Sequence, residues 1–517
     1  MTELYDVLII GAGVVGSAVA RELSRYRLKV GVLEKELDVV CETSGRNSGV
    51  LHAGVNNKPG SKMARFCVEG NRGFDKVAEE LDIPFKRTGK LVVGFTEEDR
   101  DKLLKMKEVG DTNGVPGLEI VGKDRIREMA PYVRGEFAMW SPSTAILDPF
   151  QYTIGLAENA AHNGVQFFFD HEVTAITPEY GAAGSSLADH SGQSGYSGRN
   201  DTSGDSASMP QRSNYTVTTS SGVFHTRWIV NCAGLGSAKI SSMLGIDDYT
   251  IYPCRGEYFL LDKKVGPMLP LPAYPVPNPK EGGLGIHLTP TIDGNVMVGP
   301  STEYIDRDDD YSATQKIMDL LIADGSKIFP YLKREYFIRN FSGIRPKLAP
   351  ASEGGFRDFV IERRESAPYA VNLVGIESPG LTSAMPIAAE VIRLMQEVET
   401  LQAKAHFDPV RKRVESFREK TPEEQAELIR KDPDYGEIVC RCENVTKAEV
   451  LAAIRNPLGV HTVTGVKYRC RAMMGRCQSG YCNTRITELI MRETGKRRED
   501  LLYNRKGSNL FTGTVRG

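Results

Sequence analysis

No uncharged apolar stretch approaches the roughly 20 residues needed to cross a bilayer. The longest, Val7 to Ala20, is short and interrupted by Gly11, Gly13 and Gly16. Acidic Glu3 and Asp6 precede that run, so no export signal is expected. Charge of one sign is not in excess: 65 Lys and Arg against 67 Asp and Glu leave a formal −2. That balance argues against a protein that holds nucleic acid by bulk phosphate neutralisation. Nine cysteines, an odd number without an export signal, make a disulfide scaffold a poor reading. No internal repeat is visible either. What is there is ordinary for a large folded chain: 40% hydrophobic and 26% charged residues over 517 positions. At about 150 residues per domain the length suggests roughly three domains. The expectation is a soluble, cytoplasmic, multidomain protein.

Tyr5 to Gly11 reads as a buried parallel strand, Val14 to Leu23 as a helix and Lys29 to Leu33 as a second strand. Further strands are expected at Gly89–Phe95, Val165–Phe169, Thr216–Thr219, Trp228–Cys232 and Ala370–Val374, with helices at Glu97–Val109 and Pro149–His162. Mixed elements over some four hundred residues point to an α/β or α+β body. Two segments differ in composition. Gly181 to Ser213 is dominated by Gly, Ser, Asp and Asn and reads as a mobile insertion between strands. Glu390 to Lys431 is rich in Glu, Lys, Arg, Gln and Ala and reads as exposed helix, with a boundary near Asp432-Pro433. The expected plan is a body over 1–398, a helical linker over 399–432 and a tail domain over 433–517.

Gly11-Ala12-Gly13-Val14-Val15-Gly16 is a G-x-G-x-x-G sequence between a strand and a helix, with Glu34 ending the next strand. Gly11 permits the tight turn, Gly13 lets amides approach a pyrophosphate, and Gly16 lets the helix pack on the sheet. Glu34 would accept from ribose hydroxyls and repel a 2′-phosphate. The motif does not separate NAD from FAD. Two later segments favour FAD: Asn231 to Gly236, including Ala233 and Gly234, and Gly375 to Ala384 before a helix Pro386–Met395. That helix start could face an isoalloxazine ring.

Residues 5 to about 398 resemble the D-amino-acid-oxidase-type FAD-dependent oxidoreductases, and within them the L-2-hydroxyglutarate dehydrogenase/oxidase group. The segments that carry this are Thr43 to Gly54, Lys58 to Ser61, Tyr274 to Pro279 and Gly282 to Pro290. The glycerol-3-phosphate dehydrogenases look similar at Gly375–Ala384 and Ser342–Pro346. The resemblance implies a Rossmann-like FAD-binding domain interleaved with an antiparallel-sheet substrate domain. It implies a flavin cradle that adds Lys35, Ser44, Arg46, Asn47, Ser48 and Val173 to the glycine motif. Gly343, Gly380, Leu381 and Thr382 complete the expected cradle. Oxidation of a secondary alcohol, with hydride passing to flavin N5, needs a base that is neutral at working pH. His52 lies in the flavin-proximal segment and is the base candidate. Arg345 is the candidate clamp for the substrate's anionic group; Tyr258, His287 and Lys347 are further substrate-binding candidates.

In the tail, Cys440-Arg441-Cys442 is followed by Cys477 and Cys482. Two thiolate pairs suit a soft metal; the tight Cys-x-Cys pair reaches one iron of a small cluster more easily than it closes a zinc tetrahedron, although zinc stays open. Glu437 to about Glu493, with Met474 to Cys482, resembles the [2Fe-2S] domain of the bacterioferritin-associated-ferredoxin type. Cys470 is not expected to be a ligand, and Cys41, Cys67, Cys232 and Cys254 read as small core residues. The expected function is oxidation of an anionic hydroxy substrate. L-2-hydroxyglutarate is the first choice and glycerol 3-phosphate, giving dihydroxyacetone phosphate, the alternative. Electrons would leave through the cluster to a protein or quinone rather than to NAD, an arrangement compatible with peripheral membrane association through partner subunits. A non-catalytic flavin and metal redox sensor is the reading of another class.

Overall fold

The computed structural model describes residues 4–179, 214–277 and 283–513. The expected insertion at 181–213 lies outside them. The central strand Leu4–Ile10 pairs in parallel with Val30–Leu33 on one side and with Gly222–Asn231 on the other. Val7, Leu8 and Ile9 are fully buried because both faces of this parallel sheet are covered, which is why the strand reads as a continuous apolar run. Ala367–Val374 and Gln166–Phe168 extend the sheet in parallel. Asn214–Thr219, Val173–Glu179 and Val360–Arg364 add antiparallel strands, giving eight. Helix Val14–Leu23 packs on the sheet between helices Pro149–His162 and Gly380–Gln396.

A nine-stranded sheet forms the second layer of the body. Lys90–Gly94, Ala273–Pro275 and His287–Pro290 lie side by side in it: Leu91 is opposite Ala273, and Ala273 is opposite Leu288. Elsewhere in the sheet the long strands Tyr252–Leu261 and Phe337–Lys347 pair along their length, with Cys254 opposite Arg345 and Tyr258 opposite Phe341.

The tail forms its own small core around Val439, Val450, Val466 and Ile486, built from a short hairpin and helices Lys447–Ile454, Val463–Cys470 and Asn483–Thr494. The expected linker helix holds only at Pro422–Lys431, which buries no residue; the remainder is a correction. Helix Gly380–Gln396 starts six residues before Pro386, and no α-helix follows until Pro422–Lys431. The stretch between is strapped onto the body, where Arg411 is buried with Glu158 at 2.7 Å and Arg413 reaches Asp82 at 3.4 Å. Its charged composition reflects these pairs rather than a solvated helix face. No helix of the described residues is long and apolar enough to cross a membrane.

Candidate active site and thiol centre

The glycine turn is dictated by space. Gly11 has φ +101°, and a Cβ there would stand 2.6 Å from the Cys232 carbonyl oxygen; one on Gly16 would stand 1.9 Å from the Gly11 oxygen. Glu34 is held for the ligand side of this turn: its carboxylate accepts from the amides of Ala12 at 2.7 Å and Glu36 at 2.9 Å, while burial pushes its carboxyl upward. Ser44 Oγ accepts from the Val14 amide at 2.9 Å, and Asn47 Nδ2 donates to the Ser44 carbonyl at 2.7 Å. Arg46 stacks over Tyr311 at 4.1 Å and donates to the Ser342 carbonyl at 3.3 Å. A Cβ on Gly343 would collide with the Arg46 carbonyl oxygen at 2.1 Å, so the loop at 43–49 and the second sheet touch backbone to backbone.

These parts enclose one cavity of about 1090 Å³. Lys35, Ser48, Val173, Ala233, Gly234, Gly380 and Leu381 line it with the residues above. Gly16 and Thr382 do not; Gly16 sets the packing behind the turn, and Thr382 Oγ1 accepts from the His52 amide at 2.9 Å. An elongated dinucleotide fits this wall: a carboxylate already fixed at one end, glycines where a side chain would collide, and a helix start at Gly380.

His52, Tyr258, His287, Arg345 and Lys347 line the same cavity. The His52 carbonyl accepts from Asn71 Nδ2 at 3.0 Å, so its backbone is fixed from both sides. His287 Nδ1 donates to the Gly285 carbonyl at 2.9 Å, leaving Nε2, which is buried and unpartnered, as the lone-pair nitrogen. Its ring stacks on Tyr274 at 3.7 Å. Both imidazoles are neutral. Burial, then Lys90 and His287, push His52 down to about 3; His287 falls to about 3 through burial, with Lys90 and Arg345 adding to it against the Gly285 hydrogen bond.

Arg345 spends Nη2 on the Ser301 carbonyl at 2.9 Å and Nε on the Cys254 carbonyl at 3.4 Å. Lys347 is neutralised by Glu377 at 3.0 Å and donates to the Gly355 carbonyl at 2.7 Å, so its charge is held within the protein. Sequence reasoning missed Lys90. This lysine is 1% exposed, 4.7 Å from the Tyr274 ring centre, and has no carboxylate partner among the described residues. Burial lowers its pKa to about 8, so the ammonium persists at neutral pH. The available signal was a lysine opening the apolar run Leu91-Val92-Val93.

In the tail, the thiols meet in two pairs, Cys440 with Cys482 and Cys442 with Cys477; the first pair is buried, while Cys442 and Cys477 are exposed. Backbone amides face the sulfurs: Glu443 and Met473 toward Cys440, Met473 also toward Cys482, and Cys477 toward Cys442. Asn444, Arg471, Met473, Gln478 and Ser479 all have positive φ, the local twist that turns these amides inward. A Cβ on Gly475 would lie 2.2 Å from the Cys442 Cβ. Amides aimed at sulfur stabilise thiolates, and two facing pairs suit a two-iron cluster. Among the described residues no three His, Cys, Asp or Glu side chains gather around a point fit for a single metal ion. Cys470 donates to the Val466 carbonyl at 3.2 Å within its own helix and belongs to neither pair.

Comparison with known proteins agrees with these two centres. A family model described as FAD dependent oxidoreductase matches residues 6–394, and one described as BFD-like [2Fe-2S] binding domain matches residues 438–492. Glycerol 3-phosphate dehydrogenase of Caloramator mitchellensis is 35% identical over 517 residues, 99% of each chain. The mitochondrial L-2-hydroxyglutarate dehydrogenase of Arabidopsis thaliana is 32% identical over 416 residues, 75% of this chain and 83% of that one. Among solved structures, dithionite-reduced L-α-glycerophosphate oxidase from Mycoplasma pneumoniae with FAD bound is similar with a TM-score of 0.68 at 27% identity, over 79% of this chain and 98% of that chain.

Proposed function

Since the chain belongs to the FAD dependent oxidoreductase family, with a BFD-like [2Fe-2S] binding domain behind that body, we propose that it oxidises the secondary alcohol of glycerol 3-phosphate to the ketone. The site observation behind this reading is a pair of cations, Lys90 and Arg345, in one cavity with two neutral imidazoles and neither in an ion pair among the described residues; Glu377, the acid that also acts on Arg345, is paired with Lys347. A phosphate dianion can take both cations on one group, as the two carboxylates of 2-hydroxyglutarate can take them on two. A relative that matches the chain from end to end, tail included, is named for glycerol 3-phosphate. The cations suit a doubly charged substrate, which either candidate is; the end-to-end match moves the weight from L-2-hydroxyglutarate, the first expectation, to the phosphate ester.

Bound in the cavity, FAD supplies the hydride acceptor. The protein's own residues do the rest. Arg345 and Lys90 hold the anionic group; His52, fixed by Thr382 and Asn71, takes the hydroxyl proton. An imidazole that titrates near 3 is a weak base. Neutralising Lys90 with the substrate's phosphate removes one of the charges that hold it down, so the base strengthens when the correct substrate is in place. The four tail cysteines Cys440, Cys442, Cys477 and Cys482 would hold the cluster, which would supply one-electron chemistry toward an acceptor. A body over residues 1–398 and a cluster domain over 433–517 remain the proposed division; between them the strap lies along the body and the exposed helix Pro422–Lys431 follows it.

Anaerobic bleaching of the flavin absorbance with glycerol 3-phosphate, L-2-hydroxyglutarate, D-2-hydroxyglutarate and L-lactate is the test. Glycerol 3-phosphate is expected to bleach it fastest, and bleaching by L-2-hydroxyglutarate alone overturns the assignment. That second reading has one observation in its favour: two separate cations also suit two separate carboxylates. The base is assigned by His52→Ala, expected to keep bound flavin and lose at least a hundredfold in reduction rate. If His287→Ala shows that loss instead, its free Nε2 is the base.

A further inference from the structure

The ligand loop of the tail distributes its charge unevenly. From Cys470 to Cys482 there is no Asp or Glu, and in Cys440-Arg441-Cys442-Glu443 the only acid is Glu443. That carboxylate points inward, 1% exposed, and is met by Lys263, Arg418 and Arg471, each at 2.8 Å. The outward cations have no such compensation. Arg441 and Arg339 are exposed and lack carboxylate partners among the described residues. Arg441 lies 4.5 Å over the Tyr481 ring, Arg339 donates to Gln478 Oε1 at 3.2 Å, and Arg476, 64% exposed, reaches Asp262 only at 3.6 Å. Tyr481 is 54% exposed. Together they rim Cys442 and Cys477, the exposed pair of ligands, on a chain whose total charge is −2.

We infer that this arginine-rimmed edge is the docking surface of a small acidic electron-transfer protein. The inference rests on the assignment of the cluster to these four cysteines. Opposite charge steers encounter and fixes which edge is presented, and an exposed Tyr among arginines is the composition of a transient hot spot. Tyr481 is the one large exposed apolar side chain in the ligand loop, too little for insertion into a lipid surface. Oxidation of one alcohol to a ketone releases two electrons and two protons. Two carriers each leave with one electron, and the protons pass to solvent.

The test uses full-length protein carrying both cofactors and a plant-type ferredoxin substituted with gallium, acidic and unable to accept electrons, as the probe. Calorimetry is expected to give binding that weakens at least tenfold between 50 and 500 mM salt. Arg339→Glu and Arg441→Glu should each weaken it, and together abolish it, while Arg441→Lys retains it. Iron and flavin contents and substrate-driven flavin reduction stay at the parent values in these variants. Arg339 belongs to the body strand Phe337–Lys347 and meets the ligand loop through its hydrogen bond to Gln478 Oε1, so an unchanged iron content in its variant separates docking from damage to the cluster. Binding indifferent to salt and to both reversals overturns the inference, as does preference for basic cytochrome c. Capture of anionic phosphatidylserine vesicles in place of the ferredoxin overturns it in favour of a membrane. Protein purified anaerobically without iron or acid-labile sulfide overturns the cluster assignment itself, whereas an intact cluster with no ferredoxin binding overturns only the docking surface.

Discussion

Lys90 puts a positive charge in the wall of the cavity that His52 and Arg345 also line. A lysine before Leu91-Val92-Val93 looks like a charge at a strand end, yet its strand lies inside a sheet between Ala273–Pro275 and Phe137–Ser141, and the ammonium is sealed in the cavity wall. Burial lowers its pKa from 10.5 to about 8. The sign for catalysis follows: above about pH 8 the cation is lost, so KM for an anionic substrate rises with pH. Lys90→Met is expected to raise KM at least tenfold and to abolish that alkaline limb, read from initial rates between pH 6 and 10. The sign for stability is opposite. Between about 8 and 10.5 the unfolded chain binds more protons than the folded one, so stability rises with pH across that window and levels off above it. Denaturant midpoints of the parent should climb there, and those of Lys90→Met should climb less. His52 and His287 were legible because they sit in segments that carry the family resemblance. The neutralisation of Lys347 was not, since Glu377 is 30 residues away in sequence and only the fold brings the two to 3.0 Å.

At the scale of elements, what sequence made readable was what local physics decides. Helices Val14–Leu23 and Pro149–His162 fall where their apolar spacing put them, the second with Asp148 capping its first turn and Pro149 opening it. The strap after Gln396 was misread because composition cannot say that Arg411 is spent on buried Glu158. Tertiary pairing overrode a helical-looking stretch. The glycine turn and the cysteine loop share a logic that predicts equivalent failures. Gly16→Ala places a methyl 1.9 Å from the Gly11 carbonyl oxygen, so helix and turn must separate. A cost of about 1–3 kcal/mol is expected in unfolding, with sub-stoichiometric FAD in the purified protein. Gly475→Ala places one 2.2 Å from the Cys442 Cβ. It should leave flavin content intact and lower the iron per chain, measured by elemental analysis.

Over the whole molecule, the two centres are joined by one helix. Pro149–His162 contacts both the turn Thr43–Gly45 of the flavin cradle and helix Val463–Cys470 of the tail. Phe150 stacks on Tyr468 at 4.2 Å, and Gln151 Nε2 donates to the Tyr468 carbonyl at 2.9 Å. Beside them Arg469, 1% exposed, grips Asp38 at 2.7 and 3.0 Å and Glu158 at 3.4 Å. No sequence motif announces this junction, because Asp38 and Arg469 lie at opposite ends of the chain. A buried pair of this kind adds little over apolar packing when complete, but losing one member strands a charge without solvent, at about 3–5 kcal/mol. Arg469→Met is therefore expected to destabilise the tail's attachment by that order, seen as a separate early unfolding transition while flavin stays bound. Asp38→Asn combined with Arg469→Met should recover part of the loss, since the stranded carboxylate is removed. If the double variant is no more stable than the single, the charge pair is not what holds the cluster domain against the flavin body, and the Phe150–Tyr468 stack, the Gln151 hydrogen bonds and the Lys263–Glu443 and Arg471–Asp293 pairs carry the junction instead.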